Sequence, residues 1–112
     1  MVAWIRGSAL LALAVCGSMG CGRPARPQPV THTVTIDAVQ FQPATITARV
    51  GDTIVWVNKD PFPHTVTAAP GDLSSPDIGA SESWRWTATS AGDQSYACKC
   101  HPTMQGRVEV RP

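Results

Sequence analysis

The sequence contains little charge and no excess of either sign. Of its 112 residues, 15% are charged, and the formal net charge is only +1. Nucleic-acid binding needs a strongly basic field over at least one surface, so no polyanion partner is expected. The chain also lacks paired carboxylates in a recognisable setting, a nucleophile with its base, and a phosphate-binding glycine loop. It is therefore predicted not to be an enzyme and to have no small-molecule substrate.

Long hydrophobic runs are also missing. The longest apolar run, in "MVAWIRGSALLALAVCGSMGC", follows Arg6, ends at about Val15 and is well short of the roughly 20 residues that cross a bilayer. A basic start, a short apolar run and small residues are typical of an export signal. Gly20 directly precedes Cys21, an order that resembles the bacterial lipobox, in which the cysteine is lipidated after cleavage. We predict an export signal over residues 1–21 with lipoprotein cleavage before Cys21; the alternative is ordinary cleavage nearby, which releases a soluble protein.

A proline-rich segment follows the predicted signal. Residues 22–30, "GRPARPQPV", contain three prolines and no large apolar surface, which favours an extended, semi-rigid tether. Residues 31–112 are predicted to form one folded domain. Export and lipidation would place this domain outside the cytoplasm, in the periplasm or cell envelope and anchored at a membrane. In such compartments cysteines normally end as disulfides or metal ligands.

Residues 31–112 carry the pattern of short β-strands. Apolar residues recur with period two, and turn signals interrupt them about every eight to twelve residues. This predicts an all-β, Greek-key sandwich of about seven or eight strands. "TIVWVN" is apolar on both faces and is predicted to be a central strand, a short strand is predicted to begin at His64, and residues 70–79 are predicted to be a loop. The side chains predicted to point inward are Val34, Ile36, Ala38, Ile46, Ala48, Val50, Trp84, Trp86, Val108 and Val110.

Several residues receive structural interpretations. The domain's three tryptophans, Trp56, Trp84 and Trp86, are assigned to core packing in preference to electron relay. His32 is expected to be a solvated surface residue. The charged residues near the histidine and cysteine motifs are expected to be solvated loop charges, namely Lys59, Asp60 and Lys99.

The soft metal donors of the domain fall in or opposite one short loop, "YACKCHPTMQG". Apart from His32, they are His64, Cys98, Cys100, His101 and Met104. Haem attachment needs two residues between its cysteines, and only Lys99 stands between these two. A binuclear copper centre needs cysteines farther apart. A structural zinc site would use two adjacent ligands, Cys100 and His101, which strains a tetrahedron and leaves Met104 unused.

The remaining subset is Cys98-x-x-His101-x-x-Met104, with His64 arriving from a separate segment. Two imidazoles and one thiolate with a weak axial thioether form the donor set that selects copper for electron transfer. The spacing therefore favours one copper ion bound by a single thiolate.

With these motifs in view, the chain resembles the cupredoxins, and within them the branch that includes amicyanin and plastocyanin. "FQPATITARVGDTIVWVNKDPFPHTVT" resembles the first half of that family and "YACKCHPTMQGRVEV" its closing ligand loop and strand. The resemblance implies one type 1 Cu(I)/Cu(II) ion, with His64, Cys98 and His101 as equatorial ligands and Met104 as the axial one. It implies a monomer that shuttles single electrons between a redox protein donor and acceptor. Copper delivery or storage is the alternative function.

The resemblance also implies residues around the ligands. Asn58 and Thr65 are assigned to this surrounding layer, with the backbone N–H of Thr65 donating to the cysteine sulfur. The family commonly has asparagine at the position of Thr65, so the side-chain bonds between the two ligand loops stay open here. Cys100 stands where the family has a non-thiol residue. It is either a small filler or a residue with a redox or metal-transfer role.

Overall fold

A computed structural model describes residues 28–112. The predicted export signal, Cys21 and most of the predicted tether lie outside the described residues. No helix in the described part of the chain has the length and apolar character needed to cross a membrane.

Seven strands form two packed sheets. They are β1 (Thr31–Asp37), β2 (Gln40–Gln42), β3 (Thr45–Arg49), β4 (Thr53–Asn58), β5 (Ser83–Thr87), β6 (Gly92–Ala97) and β7 (Gln105–Arg111). The first sheet has the order β2-β1-β4-β5 and the second the order β3-β7-β6. Each sheet contains one parallel pair, β1 with β4 and β3 with β7. The predicted all-β sandwich is confirmed.

The core lies between the two sheets and is built from alternate residues of the strands. Val34 and Ile36 of β1 and Val108 and Val110 of β7 are buried, as predicted. β4 lies between β1 and β5, so its prediction as a central strand is confirmed. Trp84 and Trp86 of β5 are half-buried and pack against the core.

Two predicted core positions are wrong because the backbone leaves the strand alternation there. Ala38 is exposed, and with Val39 it forms the turn between β1 and β2 at φ of 51° and 58°. Val50 is 44% exposed in the turn after β3, next to Gly51 at φ 97°. Left-handed backbone changes the direction of successive side chains, so the period-two pattern cannot be extended through such a turn.

The predicted strand beginning at His64 is also wrong. The segment makes only isolated bridges, from His64 to Ile78 and from Thr67 to Ser74 and Ala97. Because its backbone groups bond to two different parts of the chain, no continuous ladder forms. Residues 70–79 contain no strand, in agreement with the loop prediction.

Asp52 joins the start of β1 to the turn between β3 and β4. Its buried carboxylate accepts hydrogen bonds from the N–H of Arg49 (3.0 Å), Nε2 of His32 (2.9 Å) and the N–H of Val30 (2.9 Å). His32 is therefore paired and half-buried, which corrects its prediction as a solvated residue. These hydrogen bonds lower the pKa of Asp52 from 3.8 to about 2, and the bond from the N–H of Arg49 makes the largest contribution.

We expect the stability of the fold to depend on Asp52 in a defined acid range. Because its folded-state pKa is depressed, Asp52 contributes stability that is complete above pH 3.8 and is lost as the pH falls through about 2. Asp52→Asn should lower the free energy of unfolding by about 1–3 kcal/mol near neutral pH. Urea unfolding as a function of pH measures this difference, which should shrink toward zero in acid. A difference that stays constant with pH would contradict the assignment.

Candidate metal centre

His64 is fixed by hydrogen bonds on three sides. Its backbone N–H and C=O both bond to Ile78, at 3.1 and 2.8 Å. Its side chain is fully buried, and Nε2 lies 2.7 Å from Oδ2 of Asp60. This leaves Nδ1 directed at Sγ of Cys98, 3.7 Å away. A histidine whose second nitrogen bonds to a carboxylate has a fixed ring orientation, as metal-binding histidines generally do.

Asp60 links this histidine to the turn between β1 and β2. Its carboxylate accepts hydrogen bonds from the N–H of Ala38 (2.8 Å) and of Val39 (3.0 Å) in addition to the bond with His64. Burial opposes the charge of this carboxylate, but the bonds from Val39, His64 and Ala38 outweigh burial and lower the pKa of Asp60. Asp60 is thus not the solvated loop charge that the sequence predicts. The i, i+4 spacing from Asp60 to His64 is the one sequence signal of this contact.

Asn58 holds the loop that leads to His64. Its side-chain amide donates to the carbonyls of Phe62 (2.8 Å) and Ile78 (2.9 Å), and its Oδ1 accepts from the N–H of Asp60 (2.9 Å). The residue is fully buried at the end of β4. Its side chain thereby satisfies three backbone groups that would otherwise be buried without partners.

Cys98 follows β6, and its sulfur lies at the centre of the site. The side chain is buried, and Sγ lies 3.7 Å from Nδ1 of His64 and 3.8 Å from Nδ1 of His101. The backbone N–H of Thr65 donates to this sulfur at 3.4 Å. Burial raises the pKa of the thiol, but the hydrogen bonds of Thr65, the two histidines and the N–H of Cys100 together lower it to about 6. The thiolate needed for metal binding is therefore accessible near neutral pH.

The loop after Cys98 is closed by its own backbone. Met104 donates its N–H to the carbonyl of His101 (2.8 Å), and Cys98 donates its N–H to the carbonyl of Met104 (3.1 Å). Met104 is buried, whereas His101 is half-buried and reaches the surface. The donor atoms of His64, Cys98 and His101 all lie within 4.8 Å of one another.

Thr65 joins the two ligand segments through its hydroxyl group. Oγ1 accepts a hydrogen bond from the N–H of Lys99 at 3.0 Å and bonds to Oγ1 of Thr67 at 3.1 Å. A side-chain contact between the loops is therefore present although the residue is not asparagine.

Cys100 lies outside the donor group. Its side chain is exposed, and it is absent from the group of clustered donor atoms found among residues 28–112. The zinc interpretation, which requires Cys100, is therefore not favoured by the geometry. The clustered donors are one thiolate and two imidazoles in a buried position, a set whose chemistry fits copper.

An apolar rim surrounds the exposed edge of His101. The ring of Phe62 is 39% exposed, and its centroid lies 5.1 Å from that of His64 and 5.8 Å from that of His101. Exposed prolines on both loops extend this surface, namely Pro61, Pro63 and Pro102.

Comparisons with known proteins agree with this geometry. The model of the family described as "Copper binding proteins, plastocyanin/azurin family" matches residues 28–111. The chain is 32% identical over 82 residues to the amicyanin of Paracoccus denitrificans. The aligned region covers 69% of this chain and 63% of that amicyanin. It is 30% identical over 87 residues to the chloroplastic plastocyanin of Tetradesmus obliquus, covering 66% of this chain and 60% of the relative. The matched region thus spans less than two thirds of the length of either relative.

Solved structures show the same similarity. A structure of an amicyanin variant in the Cu(I) form superimposes with a TM-score of 0.69 at 29% identity. The superposition covers 72% of this chain and 82% of the amicyanin chain. The similarity therefore extends over most of the described sandwich.

Proposed function

Because this chain belongs to the plastocyanin/azurin family of copper-binding proteins, we propose that it carries single electrons between extracytoplasmic redox proteins. The observation that carries the proposal is that one donor atom from each of His64, Cys98 and His101 lies within 4.8 Å of the others, with Nδ1 of both histidines facing the Cys98 sulfur. His64, Cys98 and His101 would be the equatorial copper ligands, and Met104 the weak axial ligand. A bound copper ion supplies a Cu(I)/Cu(II) couple that exchanges one electron.

The residues around the donors suit this role because they keep the site rigid. Asp60 holds the imidazole of His64, and the N–H of Thr65 bonds to the Cys98 sulfur. Both ligand segments are also joined by the Thr65 hydroxyl. Donor atoms that move little between the two oxidation states lower the reorganisation energy of electron transfer.

His101 offers the route between the site and a partner. It is the one half-exposed residue of the three clustered donors, and the apolar rim around Phe62 surrounds it. A small apolar patch suits brief contact with a redox protein donor or acceptor. The protein acts as a monomer in this proposal. The proposal includes no enzymatic activity, because four protein donors would leave a bound copper ion no open position for a substrate.

Copper delivery or storage is not supported by the comparisons, whose relatives are named as amicyanins and plastocyanins. Electron transfer and copper delivery differ in how readily the protein releases its copper ion. A carrier retains copper and exchanges electrons rapidly, whereas a delivery protein releases copper to an acceptor.

Addition of Cu(II) to the purified metal-free protein tests the proposal. We expect one ion per chain and an intense visible band from thiolate-to-copper charge transfer. Electron self-exchange should be fast, and a competing copper chelator should remove little of the ion on the same timescale. Absence of the band, or rapid loss of copper to the chelator, would overturn the electron-carrier function.

We further propose that lipid on Cys21 anchors the protein at a membrane surface outside the cytoplasm, with residues 22–30 as the tether. The support is the order of Gly20 and Cys21 in the sequence and the prolines that follow. Several acyl chains bind a membrane firmly, whereas a single chain binds only marginally.

Cys21→Ser tests this anchor in cells that produce the full chain. We expect the native protein to need detergent for extraction, and the variant to be released in soluble form or left unprocessed. Immunoblots of membrane and soluble fractions distinguish these results. A Cys21→Ser protein that is processed normally and still sediments with membranes would rule out the lipid anchor.

A further inference from the structure

The two ends of the sandwich carry different features. β1 and β4 begin at one end, and β3 and β7 finish there. Residues 28–30 enter β1 at this end, which is called the tether end below. The ligand segments follow β4 and β6, so the donors of His64, Cys98 and His101 lie at the opposite end. The length of β4 places the two ends about 20 Å apart.

The tether end carries exposed apolar side chains on a fixed backbone. Three large apolar side chains are exposed among residues 28–112, and one of them, Phe62, belongs to the rim of the metal centre. The other two, Val30 (52% exposed) and Val50 (44% exposed), lie at the tether end. Val30 donates its N–H to Asp52, and Val50 donates its N–H to the carbonyl of Arg111, each at 2.9 Å. Both valines are therefore held at the surface by the fold.

Two arginines accompany these valines. Arg49 is exposed, and the side chain of Arg111 is 58% exposed. The carboxylates near this end are buried or paired, since Asp52 is buried and both Glu109 and Asp93 form ion pairs with arginine side chains. The charges next to the exposed valines are thus guanidinium groups.

Apolar side chains flanked by arginines suit the surface of a phospholipid membrane. Guanidinium groups bind phosphate oxygens, and small apolar groups enter the boundary between head groups and acyl chains. Gln28, the first described residue, follows Cys21 by seven positions, which span at most about 25 Å. Lipid on Cys21 would therefore hold the tether end close to the membrane. At such a high effective concentration of lipid, a small contact is sufficient for docking.

We propose that the tether end docks on the anionic phospholipid surface of the membrane that holds the protein. The docking residues are Val30, Val50, Arg49 and Arg111. The inference rests on the proposed function, because it assumes the lipid anchor at Cys21. Docking directs the exposed edge of His101 away from the membrane. The metal centre then meets redox proteins that approach from the aqueous side.

Fluorescence quenching on the full, lipid-modified chain tests this contact. The copper-loaded, reduced Cys100→Ser protein carries one thiol-reactive fluorophore, at Pro112→Cys beside Arg111 or at Thr103→Cys in the ligand loop. Each sample is placed in vesicles of equal parts phosphatidylethanolamine and phosphatidylglycerol, with and without a lipid that carries a nitroxide quencher on its head group. Because the two ends are about 20 Å apart, the label at position 112 should be quenched at least about threefold more strongly than the label at position 103.

Variants at the tether end separate docking from tethering. Val30→Ser combined with Val50→Ser should lower the ratio of docked to undocked domain by about tenfold, because less apolar surface enters the membrane. Arg49→Gln combined with Arg111→Gln should lower this ratio by about 30-fold, because two cations leave the anionic surface. The quenching of the label at position 112 reports both losses.

Exposed residues elsewhere on the domain provide matched controls. Lys59→Gln combined with Arg85→Gln removes the same amount of charge, from the loop after β4 and from the outward side of β5. Phe62→Ser removes an exposed apolar side chain at the opposite end. Both controls should leave the quenching at position 112 unchanged. A loss as large as that in the variants of the tether end would overturn docking through this surface.

The outcomes distinguish the contact from the anchor and from the electron-carrier function. Equal quenching of the two labels in protein that sediments with the vesicles would overturn the docking and leave the anchor in place. Protein that does not sediment with the vesicles would overturn both. Protection of position 112 that needs no vesicles and rises with protein concentration would assign the surface to a second copy of the chain and overturn the membrane contact. The visible band of the same samples after oxidation tests the copper centre independently.

Discussion

Cys98→Ser is expected to abolish the intense visible band of the copper-loaded protein, and Cys100→Ser is expected to leave its position and intensity nearly unchanged. The band requires covalent overlap between a thiolate and Cu(II), which a hydroxyl group cannot provide. Cys98 has the buried sulfur between the two histidines, whereas the Cys100 side chain is exposed. Absorption spectra of the two variants after addition of Cu(II) measure the difference.

Two controls separate loss of the ligand from loss of the fold. Circular dichroism of metal-free Cys98→Ser should match the unaltered protein, because serine is smaller than cysteine and can still accept the N–H of Thr65. Met104→Leu should keep the band and raise the reduction potential, since loss of a weak axial donor destabilises Cu(II) more than Cu(I). A folded Cys100→Ser protein without the band would show that the thiolate ligand is assigned to the wrong cysteine.

Asp60→Ala is expected to damage both the fold and the metal centre. The variant removes the acceptor for two turn amides, those of Ala38 and Val39, and for Nε2 of His64. Buried donors left without partners should lower the free energy of unfolding of the metal-free protein by about 3 kcal/mol. Copper affinity should fall by about 10- to 100-fold, because the imidazole loses the group that orients it.

Urea unfolding and competitive copper titration measure these two losses separately. Asp60→Asn keeps the side-chain size and one oxygen acceptor, so its effects should lie between those of Asp60→Ala and the unaltered protein. Asp37, an exposed carboxylate beside the same turn, is the control, and Asp37→Asn should change stability by no more than about 0.5 kcal/mol. An Asp60→Ala protein with unaltered copper affinity would exclude a positioning role for Asp60.

The regular strands and the clustered donors were predictable because each leaves a local pattern. Val34, Ile36, Val108 and Val110 alternate with polar residues, and this alternation alone identifies their inward face. Cys98 and His101 stand close together in sequence, so their shared site needs little knowledge of the fold. His64 is assigned to the same site by the chemistry of the donor set, and the structure shows that its Nδ1 faces the Cys98 sulfur.

The errors fall where a residue's environment is set by distant parts of the chain. Ala38 continues an apolar alternation, but a left-handed turn ends the strand before it. Asp60 looks like an ordinary loop charge, because its partners Ala38 and Val39 lie more than 20 positions earlier in the chain. His32 was misassigned for the same reason, since Asp52 meets it only through the parallel pairing of β1 with β4.

The order of strands in the second sheet has a consequence for how the chain folds. In this sheet β3 pairs only with β7, and partners such as Thr47 and Glu109 are 62 positions apart. Such non-local pairing requires closure of a long loop before its contacts form, which makes folding slow. The loop that carries Cys98, His101 and Met104 joins β6 to β7, the two strands that complete this sheet. The third clustered donor, His64, stands 34 positions before Cys98, so the full donor set should form only once these distant segments have packed together.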